Sequence, residues 1–405
     1  MKEFAFYMSP YEMAYFGSII KNLPKEFVDV HVGSLDGKIS DFSALAAEYR
    51  KQIDQFAAEG YSVLPLNPDM LDNYRAAAMS TEFYGPATKL FDWGKTRQTR
   101  LAALVHSTYL PLDSNGFSAN YYLLASRREA EHKELLKVLP AKNPRLFRKI
   151  SALSRRMLNE YAWTGPYHFG EWLEKRFADK SQLRAELEEK LQRDLDPSKP
   201  VVAFLESWFN HPDLMKEGLT RLAPHVNLII KKLTPLDIKG AYLWPENSFA
   251  PNLLRFASDF ILASYRSGTL TSSTMLGLPV IPYYTPLVSQ DWFVRSKWAP
   301  YQILMPKNFE GKDMCVDILL KINPPLDLLA TDKILERMKS ESWWDAYNKL
   351  LPATQKEIFG DYELEGAAAK AARLLVRITG TGSFGKDIAA LRLRPEFAKG
   401  IPEEE

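Results

Sequence analysis

The strongest constraint on this chain is a repeated alternation of short apolar runs with amphipathic stretches, which breaks off once and then resumes. The runs EFAFYM (3–8), FVDVHVG (27–33), YSVLPL (61–66), LAALVHS (101–107) and NYYLLAS (120–126) read as strands. Helical patterns fall between the first three, near 11–22 and from Asp41 to Glu59. Strands interleaved with helices imply parallel β-α units and a doubly wound sheet.

A different texture occupies 129–196, where charge is dense and β-branched residues are scarce. Within it, ADKSQLRAELEEKLQRDL (178–195) carries Glu–Lys and Glu–Arg pairs at helical spacing, as a surface helix would. DPSKP (196–200) then punctuates the chain. Alternation resumes with VVAFLES (201–207), a helix near 212–223, VNLIIKKL (226–233), AYLWP (241–245), a helix near 250–257, DFILAS (259–264) and LPVIPYY (278–284). Residues 329–378 read as helices, GAAAKAARLLVRI (366–378) most clearly.

The expected architecture is α/β: two Rossmann-like domains facing a cleft, with a helical linker and a helical C-terminus. The expected bounds are 1–163 for the first domain, 164–200 for the linker, 201–328 for the second domain, 329–380 for the terminal helices and 381–405 for a tail. A length of 405 residues also favours more than one core.

Charge excludes some partners. A formal net charge of +2 gives no global field for nucleic acid, so an anionic ligand must be met by a local patch. The single cysteine, Cys315, cannot form an intrachain disulfide and fits a reducing compartment. The first residues, MKEFAFYMSPYEMAYF, lack the unbroken apolar segment of a signal peptide, and no window reaches the ~18 apolar residues of a spanning helix. The chain therefore reads as cytoplasmic. One surface could still touch a membrane: RLFRKISALSRRMLNEY (145–161) reads as a basic amphipathic helix able to rest on the anionic inner face or to hold a polyanionic acceptor. The competing reading packs its apolar stripe on its own domain.

The segment RSGTLTSSTMLGLPVIPYY (266–284) holds the main candidate site. It follows the strand DFILAS, so its turn would lie at a carboxyl sheet edge and open a helix whose first amides and dipole attract anions. Gly268 would let a phosphate approach the backbone, Ser267 and Thr269 add hydroxyls, and Arg266 adds a charge. The plainer alternative is that Ser267 or Thr269 only caps the helix.

The same segment resembles the donor-site element of GT-B glycosyltransferases and of the related nucleotide-sugar 2-epimerases. Further segments resemble the CDP-glycerol glycerophosphotransferase family of teichoic-acid enzymes: LVHSTYL (104–110), AWTGPYHFGEWL (162–173), FLESWFN (204–210), LIIKKLTP (228–235) and EIFGDYELEGAAAKAARLL (357–375). Their order is that of the family. Departures are Ser107 for the family's Gly, Phe209 for its Arg, Thr234 for its His, and Ser267–Gly268 for Ser–Ser. The resemblance implies a GT-B fold, an acceptor-binding first domain and a nucleotide-donor second domain. It also implies a catalytic histidine at the position of His106.

The candidate chemistry is transfer from a nucleotide diphosphate, which needs a base for the acceptor hydroxyl and cations for the departing phosphate. His106, at the end of LAALV, is the first candidate base, since imidazole accepts a proton near neutral pH. Glu12 is the second. Lys231 or Lys232 could reach a donor phosphate, Trp208 could stack on a base or sugar, and His211 could line the donor side. Each has a structural alternative: a solvated lysine pair, a buried strand-end aromatic, a histidine bonded to a neighbouring loop. No metal motif is present, and no cofactor is expected beyond the donor itself. The expected activity moves a sugar or polyol phosphate from a nucleotide donor to a glycan or lipid-linked surface acceptor. The alternatives are a nucleotide-sugar 2-epimerase, which needs carboxylates where TLTSSTMLG offers hydroxyls, and a non-catalytic binding module, which the departures favour.

Overall fold

The computed structural model describes residues 2–8, 12–33, 43–80, 99–105, 119–125, 141, 144–145, 160–167, 178–205, 212–231, 236–245, 252–265, 267–285, 319–360 and 364–383. The chain divides into two compact units. The first is Met1–Glu171 with Asp291–Met314 and Ile358–Glu405, the second Trp172–Gln290 with Cys315–Glu357.

In the first unit β1 (Phe4–Met8), α1 (Met13–Lys21), β2 (Val28–Val32), α2 (Ser43–Ala58), β3 (Ser62–Pro65), a 3-10 turn (Pro68–Asn73), β4 (Ala76–Ser80), β5 (Arg100–Val105), β6 (Tyr121–Leu124) and β7 (Glu160–Trp163) follow in order. The seven strands form a sheet in the order β3-β2-β1-β4-β5-β6-β7, and every neighbouring pair is parallel. Alternate residues divide between its two faces, as the two-residue strand period requires. Phe4, Phe6, Val28, Val30, Ala76, Ala78 and Leu104 pack on one side with Phe16, Ile19 and Ile20 of α1. Ala5, Tyr7, Ala77, Met79, Leu101 and Ala103 face the other, against Leu71 and Tyr74.

Two strands here were absent from the sequence reading. AAAMS (76–80) has helix-favouring alanines, but in β4 those small buried side chains let the chain's C-terminal helix pack close to the middle of the sheet. Glu160 and Tyr161, expected at the end of a basic helix over 145–161, belong instead to β7, paired with Tyr121 and Tyr122 of β6. Ring-bearing residues at alternate positions suit an edge strand better than a helix end.

The second unit contains α3 (Lys180–Leu191), β8 (Val201–Leu205), α4 (Pro212–Leu222), β9 (Asn227–Lys231), β10 (Tyr242–Leu243), α5 (Asn252–Ala257), β11 (Phe260–Ser264), α6 (Gly268–Met275), β12 (Val280–Tyr284), β13 (Leu326–Asp327) and α7 (Thr331–Lys339). Its six strands are again all parallel, in the order β10-β9-β8-β11-β12-β13. Val202, Phe204, Leu228, Ile230, Leu262 and Tyr283 meet Met215 and Leu219 of α4 and Ile334 and Met338 of α7. α3 starts on an Asp179 cap, whose carboxylate accepts from the Ser181 amide at 2.8 Å.

The terminal helices do not stay together. α7 belongs to the second core, whereas α8 (Glu341–Phe359) ends where the chain returns to the first unit at Ile358. α9 (Leu364–Thr381) then adds Ala367, Ala371, Leu375 and Ile378 to the first core, at the spacing of one helical face. It is tied to the first unit by Lys370 of its N-terminal half, which donates to the Trp163 carbonyl at 3.0 Å, and at its C-terminal end by Arg100, which donates to those of Ile378 and Thr379 at 2.6 and 3.1 Å. Among the described residues, no helix is long and apolar enough to cross a membrane.

Candidate functional site

In the second sheet, strand order reverses between β8 and β11: β9 and β10 lie to one side of β8, β11 to β13 to the other. Such a reversal opens a crevice beyond the carboxyl ends of the two strands. The candidate turn lies there, between Ser264, the last residue of β11, and Gly268, the first of α6.

Ser267 is the N-cap of α6. Its extended backbone (φ −92°, ψ 147°) turns the chain into the helix, its hydroxyl oxygen accepts from the Leu270 amide at 3.2 Å, and the same hydroxyl donates to the Ser264 carbonyl at 2.9 Å. Capping is thus the observed role of this hydroxyl. The helical geometry leaves the amides of Gly268 and Thr269 with no acceptor inside the helix, and they carry the positive end of its dipole. Cap and anion site are compatible: the side chain orders the turn, and the backbone is what remains to bind.

α6 is an unusual helix in composition. Thr271, Ser272, Ser273 and Thr274 are all buried, so its seat in the fold is polar. Ser272 donates to the Thr269 carbonyl at 3.1 Å and Thr274 to that of Leu270 at 2.8 Å, so these hydroxyls bond within the helix itself. Arg255 of α5 donates to the Ser272 hydroxyl at 3.2 Å, and the Gln355 amide of α8 donates to the carbonyls of Thr274 and Met275, both at 2.9 Å. Gly277, at φ +71°, ends the helix by accepting the left-handed conformation that returns its own amide to Thr274 and the Leu278 amide to Ser273. Tyr347 is buried beside Thr274 and Asn323 without closing a well-formed hydrogen bond to either, and burial pushes its phenol up to about 12. The hydroxyls of Ser264 and Ser273, both essentially inaccessible, have no partner among the described residues. The orphan at Ser264 stands at the strand end where the turn begins.

Lys231, the last residue of β9, is half-buried. Register pairs it with Leu205, and Leu205 with Ala263, so Lys231 occupies the same carboxyl edge two strands from the turn. At one strand spacing per step its backbone is roughly 10 Å from β11, within reach of an extended lysine and a diphosphate between them. The structure therefore brings Ser267, Gly268, Thr269 and Lys231 to one sheet edge.

Glu12 sits in the first unit, four residues beyond β1, where it precedes α1 and is fully shielded from solvent. His106, Arg266, Lys232, Trp208 and His211 lie outside the described residues, as do Ser107, Phe209 and Thr234. The 145–161 segment does too, apart from Arg145 and the two residues of β7. Among the described residues, no group of three or more His, Cys, Asp or Glu side chains is arranged to hold a metal ion.

Sequence reasoning missed Ser264, Arg255 and Gln355. Ser264 was readable as the last residue of a strand before the turn. The other two carried no signal, since Gln355 meets α6 from about 80 positions along the chain.

No family model matches the chain, and no curated protein matches it in sequence. Solved structures do resemble it. The wall teichoic acid polymerase TagF is 10% identical with a TM-score of 0.55, over 93% of this chain and 89% of that one. The UDP-GlcNAc 2-epimerase of Neisseria meningitidis, solved with UDP-GlcNAc bound, is 12% identical with a TM-score of 0.53, over 93% and 100%. Arabidopsis thaliana UGT89C1, solved with UDP, is 10% identical with a TM-score of 0.50, over 92% and 100%. The chain has a GT-B glycosyltransferase-like fold, as the resemblance in its sequence implied.

Proposed function

We propose that this protein is a transferase that takes a sugar or polyol phosphate from a nucleotide-diphosphate donor and passes it to a cell-surface glycan or lipid-linked acceptor. The observation that carries the reading is the Ser267-capped N-terminus of α6, with the free-running amides of Gly268 and Thr269 at the strand-order reversal of the second sheet. The shared fold supports it, since the similar structures include TagF and proteins solved with UDP-GlcNAc or UDP.

In this mechanism the donor diphosphate rests on the amides opening α6, with Lys231 and Arg266 supplying charge. His106 takes the proton of the attacking acceptor hydroxyl as its oxygen bonds to the transferred group; the electrons of the broken bond leave with a nucleoside diphosphate when a sugar's anomeric C–O bond is cleaved, or with a nucleoside monophosphate when the P–O bond of a polyol phosphate is cleaved. The departing nucleotide's growing negative charge is held by dipoles already aligned toward it, so little reorganisation is needed at the transition state. Glu12 is the alternative base.

Thermal-shift titration with UDP, CDP and GDP tests the donor site; stabilisation by one of them is the expected result, and none by any would sink the reading. Thr269→Ala should weaken that binding moderately. Gly268→Val should weaken it more, because a branched side chain stands where the phosphate would approach. His106→Ala should abolish transfer and leave nucleotide binding in place. Epimerised nucleotide sugar without transfer would favour the 2-epimerase reading, and tight binding with no turnover at all the non-catalytic one.

A further inference from the structure

On the face of the first sheet opposite α1 and α9, a line of polar side chains crosses otherwise apolar packing. His31 of β2 is fully shielded from solvent; its Nε2 lies 2.8 Å from the Tyr74 hydroxyl oxygen and its Nδ1 3.2 Å from the Pro65 carbonyl oxygen. The Tyr74 hydroxyl lies 2.9 Å from Oδ2 of Asp29. Oδ1 of Asp29 is 3.2 Å from Nζ of Lys2, which also donates to the carbonyls of Lys25 and Val28 at 2.9 and 2.8 Å. Ser62 of β3 lies near enough to Asp29 to help hold its carboxyl low. The Tyr7 ring stacks on the imidazole at 4.5 Å and 7°, so among the described residues the titratable groups facing His31 are Tyr7 from β1, Asp29 from β2 and Tyr74 from the turn before β4.

Counting hydrogens shows what this line requires. A carbonyl oxygen only accepts, so His31 Nδ1 carries a hydrogen. Two links remain, from His31 Nε2 to Tyr74 and from Tyr74 to Asp29. With a neutral imidazole and an ionised carboxylate, the Tyr74 hydroxyl holds the only hydrogen for both. One link is then closed, and the other sets lone pairs against each other at hydrogen-bonding distance inside a dry core, which is costly. One additional proton on Nε2 removes the conflict: Nε2 donates to the Tyr74 oxygen, and Tyr74 donates to Asp29.

We propose that Asp29, Tyr74 and His31 form a buried one-proton switch, in which proton uptake at His31 Nε2 completes a hydrogen-bond chain from the Pro65 carbonyl to the Asp29–Lys2 pair. Release of the proton opens the chain at one link. The members come from β2, from the end of β3 and from the turn before β4, so the switch ties together three segments that frame one edge of the sheet. It lies apart from the nucleotide reading of the second unit and does not depend on it.

The direction of titration follows from opposing effects. Burial pushes the imidazole down from its ordinary value, and the Pro65 carbonyl and the Asp29 charge oppose this without overcoming it. Burial would raise Asp29, but nearby Ser62, the Tyr74 hydroxyl and the Lys2 ammonium outweigh it and keep the carboxyl below its usual range. The proton therefore enters at His31, in mildly acidic solution below about pH 6.5. The closed chain offsets part of the cost of burying the charge but not all of it, so the folded-state value is depressed, and the fold loses stability as pH falls through that value.

The test is heteronuclear NMR of the full chain with 15N-labelled histidine, His31 assigned by loss of its signals in His31→Gln. At pH 8 the Nδ1–H tautomer is expected; on acidification Nε2 should gain its proton with a midpoint below 6.5. Tyr74→Phe removes the link while keeping the ring, and should lower the midpoint by about one pH unit, the loss of one hydrogen bond to a charged group. Asp29→Asn should lower it as well. An Nε2–H tautomer at pH 8, a midpoint at or above 6.5, no titration down to pH 4, or a midpoint indifferent to Tyr74→Phe would each overturn the switch. The tautomer and midpoint arms use the unmutated chain, so the proposal stays testable even if the variants fold poorly.

Discussion

Replacing Leu375 with alanine tests whether the last helix is part of the first unit's core or an appendage to it. Leu375 is wholly buried, among Ala367, Ala371 and Ile378 of its own helix and the sheet residues of the first core. The sheet residues are fixed by a seven-stranded parallel ladder, so the space left by a truncated leucine cannot readily collapse. Loss of transfer energy together with a residual cavity is worth about 2–5 kcal/mol, which lowers the folding constant of that unit by roughly thirtyfold or more. With a urea dependence of about 1–3 kcal/mol per molar, the midpoint should fall on the order of 1 M. Val376→Ala is the internal control: the adjacent side chain is 41% exposed, and its loss should change stability by less than about 0.5 kcal/mol. Two compact units permit two transitions, so unfolding is followed by a probe in each, and only the first unit's transition should move. If Leu375→Ala and Val376→Ala had equal, small effects, α9 would not be integral to that core.

Other substitutions probe single contacts. Arg100→Ala removes both hydrogen bonds to the Ile378 and Thr379 carbonyls and should cost the same unit about 1–3 kcal/mol, with Arg100→Lys recovering part of it in the same urea assay. Gly218→Ala in α4 would place a Cβ 2.6 Å from the Leu328 carbonyl oxygen and 2.8 Å from its Cγ; since that neighbour is backbone, we expect about 1–3 kcal/mol of destabilisation in the second unit, seen as a lower melting temperature. Asp259 accepts from Lys180 at 2.8 Å, from the Val201 amide at 2.8 Å and from Arg184. Burial would raise its carboxyl, but these partners hold it below the usual value. Its contribution is thus present above its unfolded value near pH 4 and lost as pH falls through the folded one. Asp259→Asn should flatten the acid limb of the second unit's stability profile, and an unchanged slope would assign that limb to other groups.

The local structure around the candidate turn could be read in the chain because its signals are local. Ser267 before a small-residue helix and DFILAS ahead of it mark cap and strand, and each is realised within a few residues of where its chemistry lies; that the helix ends before Gly277, at φ +71°, was not read from the sequence. The two missed strands had ambiguous local signals: alanines that favour helix at 76–80, and a short edge segment at 160–163 whose pairing partner is some forty positions away. Strand identity there was decided by the neighbours available for pairing.

The sequence by itself determined two β-α arrays, most of their element boundaries, and a capped turn at the end of a strand in the second array. These follow from residue period, cap chemistry and glycine conformation, all of which act within one or two turns of chain. Tertiary structure alone decided that α7 and α9, alike as amphipathic helices, serve different cores, since an apolar stripe does not specify which sheet it will cover. It also decided that the Ser272 and Thr274 hydroxyls of α6 are held by Arg255 and the helix's own backbone, and that Gln355 caps its last carbonyls. And it decided that His31, unremarkable within FVDVHVG, stands against Tyr74, 43 positions along the chain. Hydrogen-bond partners that far apart in sequence meet only once the sheet has formed, and their proton count exists only there.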